Sequence, residues 1–259
     1  MDRAPAILVK ELRQAVRSRV VVSILFLLLG LLLIVAVTKL ASFEMMTNAA
    51  GTYGYRSSYS PWGSASGQRF FQQMFMLFII PVFLFIPIYV SAKVVGERRQ
   101  GMLELIAATT LSEHQIIFGK VASGLVLGLF YFSIAVPFML LSIFFRGVDL
   151  FGVFSCIVMS TLLLISAIYW VLFWSVMRVP DFIKWFFYII AFGGLLMIIG
   201  LATGLSYALL EIGVGVFSHL PWVIFFFVFW IIGVLFGHAI AIDQIRTIRW
   251  EAQYMLGVN

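Results

Sequence analysis

An all-α integral membrane protein with six transmembrane helices is the fold class this sequence predicts, on three observations. Hydrophobic residues make up 63% of the 259 residues and charged residues 11%, where globular domains run at about 45–50% and 25%. The apolar residues gather into six uncharged runs, Val20–Thr38, Phe70–Ala92, Val121–Phe145, Leu150–Met177, Trp185–Leu210 and Ile212–Ile242, the shortest of 19 residues. The basic residues fall between these runs with a marked sidedness. So apolar a chain cannot cover its surface in water, and it carries too little charge to be a disordered tail.

A helix rises 1.5 Å per residue, so about 20 residues cross about 30 Å of hydrocarbon. Lipid offers the backbone no hydrogen-bond partner, which leaves helices or closed barrels as spanning structures. A barrel would need alternating segments of about ten residues, and these runs are continuous. The first run is longer than a signal-peptide apolar core, and no small-x-small cleavage site follows at Lys39–Glu44. The single Cys156 lies inside a run, so no disulfide forms within the chain.

With the N-terminus inside, six crossings return the C-terminus inside. Arg3, Lys10, Arg13, Arg17, Arg19, Lys93, Arg98, Arg99, Lys120, Arg178, Lys184, Arg246 and Arg249 then lie inside, 13 of the 17 basic residues. Lys39, Arg56, Arg69 and Arg146 remain outside. This bias predicts an N-in, C-in orientation. It also accounts for the +6 charge as topology holders that meet anionic lipid. Binding to nucleic acid needs a basic face on a folded module, and none is visible.

Taken in order, residues 4–19 read as an interfacial helix. Leu8, Leu12, Ala15 and Arg19 recur at helical spacing, and Lys10, Glu11, Arg13, Gln14 and Arg17 sit largely elsewhere. A basic, part-apolar helix before a span lies on the inner leaflet; the plainer alternative is a charged lead-in. Residues 20–40 form span one. Residues 41–69, with Gly51, Gly54, Pro61, Gly63 and Gly67, predict an irregular exterior loop whose Tyr and Trp side chains anchor at the interface. Span two, 70–92, carries Pro81 and Pro87, and span three, 120–145, carries Pro137. These prolines mark kinks for gating or for packing.

The short turn at Arg146–Asp149 predicts that spans three and four (150–177) are antiparallel neighbours. Ser155, Ser160, Thr161 and Ser166 in span four suit bonding across helices or a polar translocation wall. Span five, 185–210, holds Gly200 and Gly204 in a small-xxx-small spacing, a helix-packing candidate. Residues 211–220 read as an exterior or re-entrant segment, 221–242 as span six and 243–259 as a cytoplasmic tail. Trp185, Trp222 and Trp250 fall near boundaries, as an aromatic belt would place them. His238 is the one readily ionisable side chain well inside a span, either a packed neutral imidazole or a proton relay.

Residues 93–119 form the largest polar segment on the inside. Met102, Leu103, Leu105 and Ile106 make a short helical pattern, and Thr110 with Glu113 matches a capping box for the next helix. An apolar helix of this kind lies on the bilayer or docks into a partner's groove. The stretch resembles the signature of ABC-2 type transporter permeases, roughly Glu-Arg-Glu-x-Gly-Thr-Leu-Glu-x-Leu-Leu-x-Thr-Pro-Leu-Ser with a Gly-Lys shortly after. Glu97, Arg98, Gly101, Leu103, Glu104, Leu105, Ala108, Thr109, Leu111, Ser112, Gly119 and Lys120 match it. Arg99, Met102 and Thr110 depart from it, where the family often has an acidic residue, Thr and Pro. The six-span plan, Val9–Gln14 and the short turn after span three resemble the family too.

The resemblance implies that Met102–Thr109 is a cytoplasmic coupling helix seated in a cleft of an ATP-binding subunit. Glu97, Arg98, Gly101, Met102, Leu103, Glu104, Leu105, Ile106 and Thr109 would then form the ATPase-coupling site, with the interfacial helix at the same face. The null alternative for Glu97 and Glu104 is ordinary solubility charge. The resemblance further implies a second identical or homologous permease subunit, a mostly exporting function and a bacterial inner membrane. ATP and Mg would sit on the partner, and this chain would bind no cofactor. Consistent with that, it has no GxxxxGK[ST] loop, no HExxH pair and no GxSxG elbow. It is expected not to be an enzyme. A secondary carrier or a membrane-complex assembly subunit is the competing class.

Overall fold

Each long apolar run closes its own backbone hydrogen bonds, and every described element is an α-helix. The structure is a computed structural model that describes residues 13, 17–53, 65–100, 113–145, 148–176, 181–211, 231–235, 237–247 and 250. Its long helices are α1 (Arg19–Tyr53), α2 (Ala65–Arg99), α3 (Glu113–Phe144), α4 (Leu150–Val176) and α5 (Asp181–Glu211). A further helical stretch, α6, is described at 231–235 and 237–247. Among the described residues, five segments are long and apolar enough to cross a membrane: Arg19–Ser42, Gly67–Arg98, His114–Phe144, Leu150–Ser175 and Tyr188–Ser206. The chain is thus a helical, multi-pass membrane protein.

The helices overrun the expected spans. The irregular loop expected over 41–69 is helical up to Tyr53 and again from Ala65. Ala41, Glu44, Met45, Met46, Ala49 and Ala50 are good helix formers. A started helix keeps its backbone bonded beyond the hydrocarbon edge at little cost. The 35 residues of α1 measure about 52 Å at 1.5 Å each, well beyond the bilayer core. For the same reason 93–99 continue α2 and 113–119 open α3, so the expected cytoplasmic segment 93–119 narrows. The interfacial helix lies outside the described residues except for Arg13 and 17–19. Residues 101–112 and 212–230 lie outside them too.

The central helix is α2, which packs against α1, α3, α4 and α5. Phe71, Met74, Phe75, Phe78, Ile79, Val82, Phe83 and Ile86 are all buried, so more than one face of α2 is covered. The helix runs through both Pro81 and Pro87. At the edge of the bundle, α1 buries only a stripe, Val21, Leu28, Leu32 and Ala36, while Phe26, Leu27, Leu33 and Ile34 face outward. In lipid such a face costs nothing. For the same reason, apolar burial does not drive helix association there, and close packing has to.

Close packing is visible at three contacts. Phe78 meets Phe132 edge to face at 4.7 Å between centroids. Gly124 and Gly128 of α3 sit where α2 and α4 converge. A Cβ at Gly124 would lie 2.9 Å from Val90 Cγ2 and 3.0 Å from Ile168 Cδ1, and one at Gly128 would overlap Leu164. Gly194 of α5 likewise lies flat against the Trp170 ring, whose Nε1 donates to the Ala191 carbonyl at 3.1 Å. The neighbouring of α3 and α4 is as the short turn predicts. Asp149 caps α4, its Oδ1 accepting from Gly152 N at 3.2 Å.

Candidate functional site at the α2–α3 junction

The last turns of α2 and the first turns of α3 carry the densest polar cluster described, and they flank the motif at 101–112. Tyr89, Lys93 and Glu97 recur every four residues and so share one face of α2. Lys93 Nζ stands 5.5 Å from the centre of the Tyr89 ring, within cation–π range. One turn further on, Glu97 forms a direct ion pair with Lys120 of α3. Lys120 is only 7% exposed, and Glu97 is half-buried.

A lysine so enclosed needs a counter-charge, because an unpaired buried ammonium costs several kcal/mol. Glu97 supplies it across 23 positions of sequence. Ser123 Oγ donates to the Lys120 carbonyl at 2.9 Å. Between the two helices is a small cavity of about 10 Å³, bounded by Tyr89, Lys93, Lys120, Ser123, Gly124 and their neighbours. That is about the room one water needs.

A second contact lies at the start of α3. His114 Nδ1 and His238 Nε2 of α6 are 3.1 Å apart, and the Tyr169 ring of α4 stands nearly perpendicular to that of His238, 5.7 Å between centroids. His238 Nδ1 is buried without a hydrogen-bond partner among the described residues. An orphaned buried N–H is rarer than an orphaned acceptor. The assignment that avoids it has His238 donate from Nε2 and His114 accept at Nδ1, a choice made from partners and not from visible protons. No cluster of three or more metal-ligating side chains occurs among the described residues.

Of the expected coupling residues, Glu97 and Arg98 end α2, both half-buried. Gly101, Met102, Leu103, Glu104, Leu105, Ile106 and Thr109 lie outside the described residues. So do Lys10 and Glu11 of the interfacial helix, while Arg13 and Arg17 are helical and exposed. Gly200 and Gly204 are exposed on α5, and a Cβ at either meets nothing within 4 Å in this chain. The packed small-xxx-small pair is Gly124–Gly128, a spacing visible in the sequence that the reading passed over. Three of the four hydroxyls singled out in α4 bond within their own helix: Ser160 to the Cys156 carbonyl at 2.6 Å, Thr161 to Ile157 at 2.9 Å and Ser166 to Leu163 at 2.7 Å. Such back-bonding is a helix's internal way of satisfying a hydroxyl.

The pairing of His114 with His238 had no sequence signal, since 124 positions separate them. No family model, curated protein or solved structure matches the chain.

Proposed function

We propose that this chain is the membrane-spanning subunit of an ATP-driven transporter of the ABC-2 type, an exporter with both termini inside. In this reading two such subunits, identical or homologous, enclose one route. A separate cytoplasmic subunit binds Mg and ATP and hydrolyses it. The segment 102–109 seats in that subunit, and closure of the ATPase dimer pushes on it.

The observation that supports this most is the Glu97–Lys120 pair. Glu97 opens the motif and Lys120 closes it, so the two helices that lead into and out of the segment are tied to each other. A push on the segment then moves α2 and α3 together. Because α2 touches four other helices, its displacement reaches the whole bundle. That is the requirement for shifting a population between inward- and outward-facing states.

The test is to tag the C-terminus, purify the chain in mild detergent and identify stoichiometric partners by mass spectrometry. A protein with a phosphate-binding loop is expected. Glu104→Arg and Leu105→Asp should weaken its retention roughly tenfold or more while membrane insertion is unchanged. Unaltered retention and transport in both variants would overturn the assignment of the segment. Repeated recovery without such a protein, after cross-linking, would point to a carrier or an assembly subunit.

A further inference from the structure

A groove runs between α2, α4 and α5, on the face of α2 turned away from Lys93. Its volume is about 270 Å³. Val171, Ser175, Ala191 and Leu195 form its buried floor, whereas Ile88, Tyr188 and Phe192 on its rim are 46%, 50% and 51% exposed. The groove is therefore closed beneath and open sideways, toward the space that lipid fills in a membrane.

The polar groups of the lining are few: the Trp174 indole of α4, the Tyr188 phenol on the rim and two serine hydroxyls. Ser91 Oγ donates to the Ile88 carbonyl at 2.9 Å and Ser175 Oγ to Leu172 at 2.8 Å, so both protons stay within their own helices. The rest of the lining is hydrocarbon, so an acyl chain would meet mostly apolar surface on entering. The groove is also elongated. It follows α2 from Ile88 to Val95 and α5 from Tyr188 to Leu195, about 10 Å along each helix. That is about a third of the hydrocarbon core and lies along the direction of lipid tails.

One end carries charge. Arg98 follows Val95 by three residues and so lies on the same face of α2, one turn beyond the groove. Basic residues at the inner end of a span attract anionic headgroups.

We infer that this groove binds one acyl chain of an anionic phospholipid, whose headgroup phosphate sits at the Arg98 end. The lipid would wedge between α2 and α5 and stabilise the bundle beside the motif. The inference rests on the groove, the membrane-spanning helices and the proposed orientation, and needs no ATPase partner.

The test uses the full chain in detergent, stripped of lipid. It is titrated with phosphatidylglycerol or phosphatidylcholine of the same acyl chains and read by native mass spectrometry. One saturable adduct is expected, held about fivefold more tightly for phosphatidylglycerol. Arg98→Gln should keep the adduct and abolish the preference. Ala191→Phe, which fills the floor, should abolish the adduct. Because that variant also disturbs the α4–α5 contact, a second measurement leaves Ala191 in place and reads the lining residue Trp174. Lipid brominated on its acyl chain should quench the wild-type protein more than Trp174→Phe. Equal retention of the two lipids, adducts indifferent to Ala191→Phe, or equal quenching in both proteins would each overturn the proposal. So would a non-phospholipid compound occupying the groove in protein from native membranes.

Discussion

Glycine in a membrane helix acts by what its missing side chain admits. At Gly128 the Leu164 side chain occupies the place of a Cβ, and Ile86 of α2 stands behind it. Gly128→Leu should therefore overpack the crossing and cost about 1–3 kcal/mol. It should read as a lower denaturation midpoint in mixed micelles. Gly200→Leu, with open space around it, should leave the midpoint of the single chain within about 0.5 kcal/mol. Equal losses at the two positions would contradict the crossing described here. Tyr131 shows the opposite device, a polar anchor. Its hydroxyl donates to the Val21 carbonyl at 2.8 Å within buried surroundings, which ties the otherwise peripheral α1 to α3.

At the scale of elements, α2 and α3 behave as a pair in which the last turns of one and the first turns of the other are joined by opposite charge. Glu97→Lys would put two ammonium groups together in a site where Lys120 has little water. The expected loss is about 3–5 kcal/mol, the cost of breaking a buried pair. Lys120→Glu should fail similarly. The exchanged double variant, Glu97→Lys with Lys120→Glu, should recover most of the stability, and with it retention of the proposed ATP-binding partner. A thermal midpoint of the double variant no better than the sum of the two single losses would show that the residues do not interact. The charge dependence also explains why α2 extends past the span expected for it. Its last two turns carry the partner that the enclosed Lys120 requires.

Across the whole molecule, the proposed orientation makes a prediction that needs no ligand. The chain has one cysteine, Cys156, and it is buried, so added cysteines can be labelled against a quiet background. Ser58→Cys, in the segment between α1 and α2, should react with an impermeant maleimide in intact cells. Thr247→Cys, exposed near the end of α6, should react only after permeabilisation. The reverse pattern, or labelling of both in intact cells, would overturn the N-in, C-in arrangement and move the motif to the other side.

Much of the architecture was legible because lipid imposes it. Uninterrupted apolar runs must be helical, and their lengths follow from the hydrocarbon thickness, so the long helices and the neighbouring of α3 and α4 could be read directly. Helix ends were less legible, since residues such as Ala41–Ala50 continue a helix beyond the uninterrupted apolar run. The motif drew attention to Glu97 and Lys120 separately. That they meet, that His114 reaches His238 and that Gly124–Gly128 rather than Gly200–Gly204 lies in a crossing within the chain were decided by the tertiary structure. So was the groove between α2, α4 and α5. Spans of nearly uniform hydrophobicity carry little amphipathic pattern to say which face turns inward. In lipid that choice falls to the fit of side chains and the pairing of the few polar groups, and both exist only once the helices have met.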